Sequence, residues 1–312
     1  MNRTEQSGRD VTAVIVHYRT PDRTVRAARA VAETAPQAEI LVVDNDSRDG
    51  ISALLAGECP PARLLTEPSN RGYGAACNRG ARESERPYVL FLNSDAYVGP
   101  KAVDTLGQAL DGAPDAAAVG PRLMAPDGTA RASIRRLPTP WKIFCESSGL
   151  AFLSGGRPPL RGHTATREDH ARRADVEALM GAALLVRRSA FEEAGGFDEA
   201  FFLYAEETDL MARWRRRGWR VLFEPEAAVV HEGGASGGDS LFGQLHASLA
   251  AYVRKHHGRR AAAFARAALA AGAAGRYAAA LVTPGARGRA RRMRYGAALR
   301  PGRAAAPGGG SR

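Results

Sequence analysis

Cysteine is scarce in this chain. Cys59, Cys77 and Cys145 are the only three among 312 residues, and none forms a Cys-x-x-Cys pair. An odd, scattered count excludes a disulfide framework and a cysteine zinc site, and it fits a reducing, cytoplasmic setting. Lysine is nearly missing too: Lys101, Lys142 and Lys255 stand among 44 basic residues, a skew that genomic codon bias accounts for. Acids vanish after Asp239, which codon bias does not explain. Residues 241–312 carry 14 Lys or Arg and no Asp or Glu, leaving 30 basic and 33 acidic groups in residues 1–240. Long apolar runs are also lacking. Met1–Asp10 is polar, so no secretion signal is expected and the first ten residues are expected to be disordered. The alanine-rich stretch 259–282 is broken by Arg266 and Arg276 and is too weakly apolar to span a bilayer. The basic tail has few tyrosines (Tyr252, Tyr277, Tyr295) interleaved with its charges and the body is slightly acidic, so a nucleic-acid partner is not expected.

What remains is an ordinary globular mixture, 45% hydrophobic and 25% charged, long enough for one large domain with an extension. Val11–Val16 is a β-branched run, the pattern of a buried parallel strand, and it ends at His17-Tyr18. Pro21 opens a helix over Asp22–Thr34. Ile40–Val43 is a second buried strand, stopping on the polar turn Asp44–Gly50. Arg63–Thr66 is a weaker third strand. Asn70–Gly80 is a glycine-bearing turn entering a helix. It is neither a Walker A loop nor GxGxxG, and its glycines read first as a tight turn. Tyr88–Leu92 is a fourth strand, ending on Asn93-Ser-Asp95, and a helix covers Pro100–Leu110. The alternation predicts an α/β fold with a doubly wound, mostly parallel sheet. Two strands end in acidic turns, at Asp44 and at Asp95. Each is either a helix cap or part of a cation or nucleotide site at the carboxyl edge of the sheet.

Residues 125–175 are irregular and rich in Pro, Gly and Arg, too long for a plain connection, so a mobile lid or an insertion is expected. Their arginines, Arg135 and Arg136 among them, either meet an anionic diphosphate or are solvated; solvation is the default for charge runs. Val176–Val186 reads as a strand interrupted by Gly181, and glycine in a strand often marks close approach of a ligand or backbone. Then comes the most unusual stretch, Gly195–Leu210, where Asp198, Glu206, Glu207 and Asp209 stand among Phe197, Phe201, Phe202 and Tyr204. Carboxylates beside aromatics are expensive to bury, so either they serve chemistry or they complement the dipole of the helix that follows to Arg217. Strands are expected at Trp219–Phe223 and Ala227–Val230. His231 closes the second, as a structural group or a metal ligand.

Taken in order, these motifs resemble glycosyltransferase family 2, the inverting GT-A enzymes, and in particular its rhamnosyltransferase-like members. The carrying residues are His17-Tyr18, Val42–Ser47 with Asp49-Gly50, Asn70-x-Gly-Tyr-Gly with Asn78, Leu92–Asp95, and the block from Gly181 to Ser236. Together they cover roughly residues 10–240 of the sequence. The resemblance implies a nucleotide-sugar site built from His17, Tyr18, Asp44, Asn70, Gly72, Asn78, Asn93 and Gly181, with Asp44 on the base. It implies a Mg²⁺ or Mn²⁺ site at Asp95 and His231, where Asn93 departs from the family's Asp-x-Asp pattern. It implies a carboxylate general base at Glu207. The family pattern here is Glu-Asp, so Glu207 is one methylene longer than usual and Glu206 is the substitute, with Asp209 in support. His17 also replaces the commoner Asn. The donor implied is dTDP-rhamnose or a UDP-sugar, and the acceptor a glycan or a lipid-linked sugar.

The expected layout is a GT-A domain over 11–240, an amphipathic and alanine-rich helical extension over 241–284, and a basic disordered tail over 285–312. Leu241, Phe242, Leu245, Leu249, Tyr252, Val253 and His256 recur at helical spacing. A basic amphipathic helix of this kind either lies on an anionic membrane surface, placing the protein on the inner face of the cell membrane, or packs on the body. Two other readings compete: a catalytically silent relative that binds nucleotide sugar, and a basic nucleic-acid-binding protein.

Overall fold

The computed structural model describes residues 10–164, 170–233 and 241–299. The expected disorder at the N-terminus and beyond Leu299, and the Gly234–Ser236 part of the long motif block, lie outside the described residues.

The apolar runs become central strands. β1 (Val11–His17) is buried along its whole length, with β2 (Glu39–Asp44) on one side and β4 (Tyr88–Asn93) on the other. β3 (Ala62–Thr66) extends the parallel set beyond β2. β10 (Ala183–Arg187) then runs antiparallel against β4 and against β6 (Ala116–Met124). β11 (Arg220–His231) pairs parallel with β6, and β5 (Ala96–Val98) closes the far edge antiparallel to β11. The order is β3-β2-β1-β4-β10-β6-β11-β5, with β8 (Ala174–Asp175) also on β11. Six of the nine strands point the same way.

Helices cover both faces. One apolar layer joins the sheet to α1 (Pro21–Thr34), α2 (Ile51–Glu58) and α4 (Ala102–Asp111) through Val25, Leu55 and Leu106. The other joins it to α3 (Tyr73–Arg82), α7 (Arg188–Glu193) and α8 (Glu206–Arg216) through Cys77, Phe191, Met211 and Trp214. This is the doubly wound α/β sheet that the alternation predicts. Because β1 is flanked by β2 and β4, the chain leaves β1 and β4 in different directions and opens a crevice at their carboxyl ends.

Three readings of the sequence change. The strands expected at Trp219–Phe223 and Ala227–Val230 merge into one, β11, which begins at Arg220 and whose register on β6 slips between Glu224 and Ala228; Pro225, which has no N–H to give a ladder, sits in the slip. The described part of 125–175 is an ordered insertion: β7 (Ile134–Arg135), α5 (Pro140–Ser148) and α6 (Leu150–Leu153). β7 pairs with β9 (Ala178–Leu179), which ties the insertion to the strand before Gly181. The basic tail is helical as far as Leu299. α9 (Phe242–Leu281) turns at Gly258, and α10 (Gly285–Leu299) folds back on it, with Tyr295 edge-on to Phe242. Alanine and arginine are good helix formers, and their preference outweighs the scattered glycines.

α9 packs on the body. Leu249, Tyr252, Val253, Ala265 and Leu269 share a cluster with Ile143, Phe201, Ala205 and Ala212. No described helix is long and apolar enough to cross a membrane.

Candidate active site

A cavity of about 510 Å³ opens at the carboxyl ends of β1 and β4. Of the residues expected at the site, Tyr18, Asn70, Gly72, Asn93, Asp95, Gly181, Glu206, Glu207 and His231 line it together.

Asp95 and His231 meet because β5 pairs with the end of β11, setting His231 opposite Ala96. Asp95 Oδ1 lies 3.3 Å from His231 Nε2, and the Gly233 amide donates to Asp95 Oδ2 at 3.1 Å. Burial pushes the Asp95 carboxyl up, but the hydrogen bond and attraction of the His231 ring outweigh it and hold it below its usual range. Among the described residues no group of three or more His, Cys, Asp and Glu converges. An oxygen and a nitrogen this close suit two positions of a hard divalent cation, the remainder falling to oxygens of a ligand.

The carboxylate pair stands at the first turn of α8. Tyr204 and Ala205 precede it with φ of 68° each, a left-handed turn unusual for residues with a side chain. The chain enters it from the loop 196–203, which α3 grips: Asn78 Oδ1 accepts from the Phe197 amide at 2.9 Å, and Asn78 Nδ2 donates to Phe197 O and Glu199. Gly72 is a second grip. A Cβ there would fall 2.2 Å from the Phe202 carbonyl oxygen, which accepts from the Tyr73 amide. Gly72 therefore lets two backbones close one wall of the cavity.

Glu206 is buried, and its Oε2 has no hydrogen-bond partner. Burial, with the charge of Glu207 added, pushes its carboxyl well up; burial pushes Glu207 up as well, opposed by backbone amides, Arg135 and the Thr208 hydroxyl. Neighbouring carboxylates cannot both ionise cheaply, so one of the two keeps its proton to higher pH. Gly181 runs past Glu207: a Cβ at 181 would sit 3.1 Å from Glu207 Cγ. The missing side chain leaves room for the methylene by which Glu207 exceeds an aspartate.

Four expected residues are engaged elsewhere. His17 is wholly buried, with Nδ1 on Thr24 at 2.7 Å and Nε2 on Asp49 at 3.1 Å, so it shapes the 44–50 turn and does not reach the cavity. Asp44 accepts from the Ser47 amide, and Asn45 lines the cavity in its place. Asn78 holds the acidic loop, as above. Asp209 faces α9, bonded to Arg213, Lys255 and His256; it stands one turn into a helix whose first turn faces the cavity.

The sequence reading also missed residues. Arg135 and Arg136, assigned to solvent by default, face inward with Glu146, His163 and Thr164 and line the cavity. Leu245 and Leu249 of α9, with Leu241 just before it, form its apolar wall. The signal for these leucines was the helical period of the extension.

An α/β sheet of this order, with a crevice at the carboxyl ends of its parallel strands, has the GT-A fold of nucleotide-sugar transferases. The chain belongs to glycosyl transferase family 2, whose description matches residues 12–195. It is 35% identical over 205 residues to the N-acetylglucosaminyl-diphospho-decaprenol L-rhamnosyltransferase of Mycobacterium tuberculosis, a match spanning 62% of this chain and 66% of that protein. It is 26% identical over 216 residues to a low-salt glycan biosynthesis hexosyltransferase of Haloferax volcanii, covering 68% of this chain and 64% of that one. Among solved structures it resembles a mannosyltransferase from Pyrobaculum calidifontis in complex with GDP-Man and Mn²⁺, with a TM-score of 0.59 at 19% identity over 93% of this chain and 80% of that one. That likeness concerns the fold.

Proposed function

We propose that this glycosyltransferase moves a sugar from a nucleotide-sugar donor to a glycan or lipid-linked acceptor, with inversion at the anomeric carbon. The observation that carries the reading is the single cavity shared by the Asp95–His231 pair and the Glu206–Glu207 pair. dTDP-rhamnose is the first donor to test, in line with the mycobacterial relative's name, and UDP-sugars come second.

In one displacement, the acceptor hydroxyl oxygen bonds to the anomeric carbon as the bond from that carbon to the diphosphate oxygen breaks. The proton passes to a carboxylate, and the nucleoside diphosphate leaves. Glu207 is the proposed base, because it occupies the family's base position and Gly181 accommodates its length. The buried Glu206 beside it raises the proton affinity of the pair, which favours accepting a proton. Asp95 and His231 would hold Mg²⁺ or Mn²⁺, which supplies charge neutralisation for the departing diphosphate.

A membrane-surface position fits the same reading. Phe152 is 89% exposed and Leu153 79% exposed on α6, and Trp141 on α5 stacks on Phe144, which meets Phe264 of α9. No Asp or Glu occurs in residues 241–312. Apolar tips beside an acid-free basic surface suit an anionic bilayer.

The test is turnover of a donor panel with Mg²⁺, Mn²⁺ or EDTA. Hydrolysis of one donor, lost with EDTA and in Asp95→Ala, is expected. Binding of a donor without turnover, even with acceptor, would favour a silent relative, and no binding at all would sink the nucleotide-sugar reading.

A further inference from the structure

Arg135 is a mostly buried cation that the chemistry above does not use. It sits on β7, held there by the pairing of Ile134 with Leu179 and of Arg135 with Ala178, and lines the cavity. Its guanidinium makes one hydrogen bond, from Nη1 to Thr164 Oγ1 at 3.0 Å, and no ion pair with a carboxylate among the described residues. Lys142, the basic side chain of α5, is by contrast neutralised by Glu177 at 2.7 Å. A guanidinium has five N–H donors in a planar fork suited to phosphate. Burying one with no carboxylate in direct contact leaves most of its donors unmet, which is unfavourable unless an anion arrives to meet them.

The surroundings indicate which anion. The acids whose charge reaches Arg135 are Glu146 and Glu207, so it belongs to the base side of the cavity, where an acceptor hydroxyl must lie. Leu241, Leu245 and Leu249 present an apolar wall to the same cavity. A cation, a greasy wall and a general base together fit a sugar joined through phosphate to a hydrocarbon chain.

We propose that Arg135 binds the phosphate linking the acceptor sugar to its lipid, and that Leu241, Leu245 and Leu249 bed the first carbons of that lipid. This rests on the glycosyltransferase reading above and narrows its acceptor to a lipid phosphate or diphosphate. Arg135 then selects the acceptor, while Asp95 and His231 face the donor. The exposed Phe152 and Leu153 lie on the helix following α5, whose Glu146 lines the cavity; a membrane on that face would present its lipid-linked sugars beside the site.

The test uses calorimetry on the full chain with two probes. The first is UDP or dTDP with Mn²⁺; the second is farnesyl diphosphate, added with the nucleotide already bound so that the donor's diphosphate place is filled, or with EDTA alone. Wild type should bind farnesyl diphosphate. Arg135→Gln should weaken it at least tenfold and leave nucleotide binding within about twofold. Arg135→Lys keeps the charge without the fork, so it should fall between the two, and it reports on the idea if the glutamine variant does not fold. Leu245→Ser should weaken farnesyl diphosphate, while inorganic diphosphate, added as a control beyond those two probes, should bind it as it binds wild type. Unchanged farnesyl diphosphate binding in Arg135→Gln, or no binding by wild type, overturns the proposal. So does a loss that falls on the nucleotide instead, which would assign Arg135 to the donor. Failure of wild type to bind any nucleotide is a separate result and counts against the glycosyltransferase chemistry itself.

Discussion

Replacing Asp209 with Asn separates a structural acid from a catalytic one. The Asp209 side chain is fully buried and receives Lys255 at 2.6 Å, His256 at 2.7 Å and Arg213 at 2.8 Å. Burial alone would raise its carboxyl, but those hydrogen bonds and charges take it down to about 2 from an ordinary 3.8. A depression of that size corresponds to roughly 2 kcal/mol of folding free energy. A carboxyl depressed in the folded state stabilises fully above its unfolded value, and the contribution is lost as pH falls from about 4 through about 2. D209N should therefore lose roughly 2 kcal/mol at pH 7. For a chain of 312 residues, an unfolding entropy near 2 cal/mol/K per residue turns that into a drop of about 3 °C in melting temperature. Thermal melts of both proteins at pH 7 and near pH 3 give the measurement, and the gap should narrow in acid. Donor hydrolysis by the folded variant should stay within about threefold of wild type. A hundredfold loss of turnover with an unchanged melting temperature would refute this assignment and return Asp209 to the chemistry.

Other outcomes follow from the same geometry. Gly181→Ala places a Cβ 3.1 Å from Glu207 Cγ, so the carboxylate must shift by a few tenths of an ångström; kcat for transfer should fall about tenfold or more while nucleotide affinity, read by calorimetry, stays put. Because burial raises Glu207 above the usual carboxylate range, and the base must be ionised, transfer should rise with pH through a midpoint above 4.5, and the Glu207→Gln variant should lose both the rate and this limb. A pH-independent rate between 5 and 7 in a Glu207→Gln enzyme with wild-type turnover would exclude Glu207. Phe152→Ser with Leu153→Ser alters only exposed side chains, so melting temperature and donor hydrolysis should hold while flotation with anionic vesicles drops at least fivefold; undiminished flotation would leave the basic helices as the sole attachment.

The strands and the acidic turns were readable because burial writes itself into the sequence as β-branched runs, and Asp44 and Asp95 each end one. Asp95, His231, Glu206 and Glu207 stood out for a related reason, acids and a histidine at strand ends or beside aromatics, but their assigned roles came from the resemblance to glycosyltransferase family 2 and not from the residues alone. Which polar groups satisfy one another was not readable. His17 and Asn78 carry ligand chemistry in their side chains, yet Thr24 and Asp49 consume the first, and Phe197 and Glu199 the second. Those partners are brought together by the fold, from as far as 121 residues away. Arg135 and Arg136 failed in the opposite sense. A local charge run looks solvated, and only the pairing of β7 with β9 turns it inward. The tail illustrates a third limit, since α10 is helical partly because α9 is there to receive it, and composition does not report a neighbour.

The register slip in β11 gives the site an arithmetic of its own. β11 enters the sheet at Arg220 as a core strand beside β6 and leaves it at His231 as the strand that completes the Asp95 pair. Between them, Pro225, Glu226 and Ala227 are out of step with β6. Side chains alternate along a strand, so the face on which His231 emerges is decided by whether that interval holds an odd or an even number of residues. Deleting or inserting one residue there would leave the core half of β11 seated and turn the imidazole to the opposite face. Adding two would restore the face but carry the ring about 7 Å along the strand, past Asp95. The position of this histidine is thus counted out along the chain from the slip, and length in those few residues is under tighter constraint than their identity.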